Sequence, residues 1–171
     1  GFQLTHSTIT NAGNGNDEFA LHLVNPAGTV FVDTSTFTGM YESGIRLFKN
    51  QGNPVYVTLR GATLSNNNAE FGEDGFQFKV AGTAQATMLV ENGTFQNLQR
   101  DGIDGIFQDQ AALNLTVKNS LFENNPGFGG ILVGGNNTAT GRITLQGNTI
   151  RNNLATAIAL TSATQAVLDA K

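Results

Sequence analysis

The chain has no cysteine and no tryptophan, two histidines and three prolines. Without cysteine there is no disulfide framework, no thiolate-bound zinc and no thiol nucleophile. Charge is also scarce. Asp, Glu, Lys and Arg make up 13% of the 171 residues, roughly half the ~25% of an average globular chain. Nine basic residues against thirteen acidic ones give a net charge of -4. The basic residues are scattered, whereas nucleic-acid binders gather Lys and Arg to neutralise phosphates, so a nucleic-acid partner is not expected. No apolar run reaches about eighteen residues, so no membrane-spanning helix is expected. No basic-then-apolar leader follows Gly1. With 39% hydrophobic residues and few charges, the chain can bury a core rather than remain disordered. What is abundant is turn chemistry: 21 Gly and twenty Asn, together with twenty Thr.

One pattern recurs six times: an apolar residue, a small residue three further on, a second apolar residue, then Asn or Gly. The copies are LTHSTITN (4–11), VDTSTFTG (32–39), LRGATLSN (59–66), VENGTFQN (90–97), VKNSLFEN (117–124) and LQGNTIRN (145–152). Their second apolar residues, Ile9, Phe37, Leu64, Phe95, Phe122 and Ile150, are spaced by 28, 27, 31, 27 and 28. A second segment follows each copy: ALHL (20–23), GIRL (44–47), GFQF (75–78), GIDG (102–105), GILV (130–133) and AIAL (157–160). In the fourth coil GIFQ (105–108) competes with GIDG, and GIDG keeps the period near 27. A third segment, such as GTVFV, NPVYV or LNLTV, leads into the next copy.

Each repeat thus holds three short segments of period two, separated by Gly, Asn, Asp or Pro, which is strand behaviour. No stretch keeps a helical period with caps. Matching positions recur from repeat to repeat, so the strands stack in register. The expected fold is all-β: a right-handed, single-stranded parallel β-helix over residues 1–171. It has about six coils of ~27–28 residues with three short strands per coil, ~4.8 Å per coil. Asn11, Asn66, Asn97, Asn124 and Asn152 fall at one point of the repeat, with Gly39 in the remaining place. Asn tolerates the left-handed turn conformation, and its amide can bond to the Asn above and below, so these residues are expected to form a structural asparagine ladder.

These columns resemble the right-handed parallel β-helix proteins of the pectin-lyase-like superfamily, and the resemblance covers about residues 2–168. The NTIxNN and GIxL segments are similar to those of bacterial autotransporter passengers and large surface adhesins. The resemblance implies an extracellular or cell-surface location and either a structural rod or a carbohydrate-active enzyme. A solenoid also needs its ends covered, so further coils or caps are expected at both ends, as in a piece of a longer rod.

Six of the thirteen acidic residues, Glu70, Glu73, Asp74, Asp101, Asp104 and Asp109, fall in the third and fourth coils. Stacking brings Asp74 and Asp101 about one strand spacing apart. Paired carboxylates at ~5–5.5 Å suit a retaining glycosidase, so Asp74, Asp101 and Asp104 are the catalytic candidates. Lyases of this fold pair a basic residue with acidic ligands, which the resemblance extends to Arg100. Glu73, Asp74 and Asp101 are candidate Ca²⁺ ligands, since Ca²⁺ takes several oxygens; no other cofactor is implied. The competing reading of Asp before Gly is plain turn chemistry.

The outward column of the second segment, His22, Arg46, Gln77 and Asp104, is the candidate ligand face, with Arg46 suited to a uronate or sulfate. The Asn-Thr-Asp, Asp-Asp and Gly-His-Gly signatures of polygalacturonase-like enzymes are absent; RDGIDG (100–105) carries only the Asp-Gly part. The expected function is therefore a non-catalytic structural and binding rod of a secreted or cell-surface protein, with polysaccharide or a host surface as partner. The alternative is a polysaccharide lyase or glycoside hydrolase acting on an acidic polysaccharide.

Overall fold

The computed structural model describes residues 1–68, 70–127, 129–163 and 165–170. The chain winds into a parallel β-solenoid of about six coils, with no helix among the described residues. Sheet A has seven strands, from Phe2–Thr5 to Val167–Ala170; sheet B has six, from Thr8–Thr10 to Thr149–Arg151; sheet C has six, from Leu21–Val24 to Ile158–Ser162. One coil shows the plan: Gln85–Glu91 in sheet A, Thr94–Gln96 in sheet B and Asp101–Phe107 in sheet C.

The alternation in sequence becomes an in/out alternation, because successive side chains on a strand point to opposite faces. Ile9, Phe37, Leu64, Phe95, Phe122 and Ile150 form one inward column of sheet B. Leu4, Val32, Leu59, Val90, Val117 and Leu145 do the same in sheet A. The middle coils are sealed, whereas at the last coil Ile158, which continues the inward column of Ile131, is 42% exposed.

Sheet C settles the register of residues 102–108. Ile103 pairs with Phe76, Asp104 with Gln77 and Gly105 with Phe78, so Ile103, Gly105 and Phe107 face inward and Asp104 faces out, as the 27-residue period requires. Gly105 decides the matter sterically. A Cβ there would run into the Phe78 ring, so this inward position admits a bare backbone and nothing larger.

Two columns of left-handed turns fold the coil. Between sheets B and C, Asn11, Gly39, Asn66, Asn97, Asn124 and Asn152 all have φ between 52° and 68°. Asn97 Nδ2 donates to Asn66 Oδ1 at 3.0 Å and Asn124 Nδ2 to Asn97 Oδ1 at 3.3 Å. Asn152 instead donates to Glu123 Oε1 at 3.4 Å. Gly39 is required where it stands, because Asn11 Oδ1 fills the space a Cβ would take. A second, inner ladder was not expected from the sequence. Asn125, fully buried, accepts from Leu98 N–H at 3.0 Å and donates to Phe95 C=O at 3.2 Å; Asn153 Oδ1 accepts from Asn125 N–H at 2.8 Å. Between sheets A and B the left-handed column is His6, Thr34, Gly61, Asn92, Asn119 and Gly147.

On sheet C one inward strand position holds a lysine. Lys49 ends the strand Ile45–Lys49 on the core side, at 0% exposure, and its Nζ has no hydrogen-bond partner among the described residues. Burial holds its ammonium pKa below the ordinary 10.5. An unsatisfied buried polar group costs about 1–3 kcal/mol, so Lys49→Met should raise the unfolding free energy by about that much. The depressed pKa means that unfolding takes up a proton, so the penalty of burying Lys49 falls as pH climbs towards 10.5. Urea denaturation should accordingly show the gain from Lys49→Met shrinking as pH is raised. A variant no more stable than wild type at neutral pH would show that Lys49 has a partner.

Candidate functional site

The outward face of sheet C carries the column foreseen in sequence: His22, Arg46, Gln77, Asp104, Leu132 and Ala159 pair in succession. Beside it run Val24, Phe48, Lys79 and Ile106. Between the two columns lies a recess of about 520 Å³, walled by Phe48 and Ile106 and bearing Arg46, Gln77, Lys79 and Asp104. It offers apolar surface together with donors of both kinds and one carboxylate.

Two long spacers join sheets B and C, residues 11–20 and the described part of 66–75. The first is tied by its own acids. Glu18 accepts from Asn14 N–H and Gly15 N–H, and Asp17 N–H donates to Glu42 Oε1 at 2.9 Å. These bonds explain why the oxygen-rich stretch 11–18 is an ordinary loop. It lays Phe19 against His22, centroids 5.1 Å apart, and under the Arg46 guanidinium at 4.6 Å, while Asp17 pairs with Arg46 at 3.4 Å. The second insertion places Phe71 flat on Tyr41 at 5.1 Å. These aromatics were not foreseen. The available signal was that both long spacers carry a Phe.

The acidic cluster of coils three and four does assemble, though unequally. Ser43, Asp74 and Asp101 stack in one column, and all three are fully buried. Ser43 Oγ accepts from Asp74 N–H at 3.3 Å, and Asp74 Oδ1 accepts from Asp101 N–H at 3.1 Å. Gln77 Nε2 donates to Asp74 Oδ2 at 3.2 Å and to Glu73 Oε2 at 3.3 Å. Burial, reinforced by the charge of Asp104, pushes the Asp74 carboxyl up to about 7. Asp104, half-buried on the outward face, is also raised, first by burial and then by Glu73, against the pull of Arg100. Arg100 is half-exposed and pairs with Glu73 at 3.4 Å. Burial works against its charge, but the surrounding Asp74, Glu73, Asp104 and Asp101 outweigh that and raise its pKa.

Stacking therefore brings Asp74 and Asp101 together as the repeat predicted, and sets Arg100 and Glu73 beside them. Among Glu73, Asp74, Arg100, Asp101 and Asp104, it is Glu73, Arg100 and Asp104 that keep exposed side-chain surface, while Glu70 is exposed and Asp109 stands apart, accepting from Gly82 N–H at 3.0 Å. Glu73, Asp74 and Asp101 do not converge as a metal site, and no group of three or more His, Asp or Glu does so among the described residues. Arg46 and Lys79 supply positive charge, Gln77 an amide, and Phe48 and Ile106 an apolar wall.

The chain matches no family model, no curated protein and no solved structure.

Proposed function

We propose that this solenoid is a non-catalytic structural and binding rod of a secreted or cell-surface protein. In this reading it is of the pectin-lyase-like kind, adhesin- or autotransporter-passenger-like. Its sheet C face grips a polysaccharide or host surface, and further coils or caps cover its apolar end coils. The observation that carries the reading is the burial of Asp74 and Asp101. Both carboxyl groups are sealed, and Asp74 is spent on holding the next coil's backbone N–H. A substrate would meet Asp104 with only the ion-paired Glu73 beside it. That leaves a ligand face with Arg46 and Gln77 rather than an acid–base pair.

The second reading, a lyase or hydrolase of an acidic polysaccharide, is favoured by one observation. Asp104 is a half-buried carboxyl with a raised pKa at the edge of a recess, close enough to Arg100 to feel its charge. A carboxyl tuned upward is what general acid catalysis uses. The test is incubation with polygalacturonate, alginate and chondroitin, with and without Ca²⁺, following unsaturated product by absorbance and new reducing ends. The rod reading expects no product, but retardation on a gel containing one of these polymers, weakened in Arg46→Ala. Turnover that disappears in Asp104→Asn while the fold is kept would replace it with the enzyme reading.

A further inference from the structure

A second surface lies away from that recess. On the outer face of sheet A a trough of about 410 Å³ crosses five strands, from Val55–Arg60 to Val167–Ala170. Four strand spacings make it roughly 19 Å long. Its floor is lowest where the outward side chains are short: Ala112 pairs with Thr140 in one column, between Gln85 and Val167. The neighbouring column runs Tyr56, Thr87, Asn114, Arg142, Asp169, one residue per coil. Tyr56 closes one end with 54% of its surface open.

Charge restricts the occupant. Arg142 and Asp169 are the charged residues of the lining, and they pair with each other at 3.2 Å. The remaining charges of this sheet pair along the rod, Arg60 with Asp33 at 2.9 Å and Lys118 with Glu91 at 3.0 Å, outside the trough. A uronate, a sulfated chain or a nucleic acid would find no uncompensated cation. An extended peptide gains its affinity by pairing with a free strand edge. Here the backbone groups of the middle strands are already committed to neighbours on both sides. What remains is a row of hydroxyl and amide side chains at one strand spacing, beside an exposed aromatic face. That pattern suits a polymer with a repeating set of hydroxyls and apolar ring faces.

We propose that the sheet A trough binds an extended, uncharged glycan lying along the rod axis, with Tyr56 as its stacking platform and Thr87 and Asn114 as hydrogen-bonding groups. The site shares no residue with the sheet C recess, so it stands or falls separately from the reading above.

The experiment is calorimetric titration of the full chain with cellohexaose, xylohexaose and mannohexaose. One of these should bind, with an affinity that does not change with salt, since neither partner presents net charge. Tyr56→Ala should weaken binding about tenfold or more, as loss of an aromatic anchor does. Ala112→Trp, which points outward and fills the trough, should do the same, with unfolding midpoints checked for both variants. Gln96→Ala on sheet B should leave the affinity as it was. Absence of binding for all three sugars at millimolar concentration would overturn the proposal. So would binding that survives Ala112→Trp, or binding lost in Arg46→Ala, which would move the contact to sheet C.

Discussion

Phe95→Ala should lower the unfolding free energy by about 3–5 kcal/mol, the range for truncating a buried aromatic side chain. Phe95 is fully buried in the central column of sheet B, between Leu64 and Phe122. Its ring lies flat on that of Phe122, with centroids 4.8 Å apart and planes inclined by 4°. A Cβ at Gly75 or at Gly93 would press on the same ring. The Phe therefore occupies space that glycines on two sides leave open, and a methyl group cannot refill it. The same change at Phe122 should cost a similar amount. The double variant should cost less than the sum, because the stacked pair shares about 0.5–1.5 kcal/mol that each single change already removes. Urea denaturation of the four proteins measures all of this. A Phe95→Ala protein as stable as wild type would mean that the ring is not in the core column.

The columns of this core were readable from the sequence because each coil repeats the last. Six copies of one pattern fix which residues share a column, even where a single copy is ambiguous. The duplicated DGIDGIF is such a case: the period favoured GIDG, and the pairing of Ile103 with Phe76 settles it. The left-handed Asn column was legible for the same reason: one residue type at one phase. The limits are equally physical. Asn67, Asn125 and Asn153 were overlooked because the second Asn of each pair reads as more turn composition. Only the coil's path shows that it points inward to bond backbone on the adjacent coil. The contacts of Phe19 and Phe71 depend on how two loops of unrelated sequence fold back, and a repeat carries no information about its insertions. Lys49 was hidden by its type, since a lysine at a strand end reads as solvated. The acidic cluster was visible as composition, but sequence could not divide it into buried and exposed members. Asp74 and Asp104 lie three positions apart in the phase of the repeat, one at the corner and one on the strand face.

Asp74→Asn should make the protein more stable at neutral pH and change little near pH 4. With the Asp74 carboxyl pushed from 3.8 up to about 7 by burial and by the charge of Asp104, the folded chain holds a proton that the unfolded chain has lost. Unfolding releases it, so the contribution of Asp74 to stability is fully present below about 4 and is lost as pH rises towards 7. A shift of this size amounts to about 3–5 kcal/mol across the window, at ~1.4 kcal/mol per pKa unit. Asparagine preserves the ladder: its Oδ1 can accept from Asp101 N–H, and its amide can face Gln77 once the Gln77 side chain turns over. Denaturation of both proteins at a series of pH values checks the claim, with the gap opening from pH 4 to pH 7. A gap that is constant with pH would mean that Asp74 titrates normally. A variant less stable at every pH would mean that the buried carboxylate is itself needed to hold the coils. The result bears on function as well. If Asn at position 74 stabilises the rod, an acidic residue is being kept at a cost to the fold, and a pure turn role does not account for it. If Asn is neutral or worse, Asp74 belongs to the scaffold with Ser43, and any chemistry on this face rests on Asp104 and its neighbours.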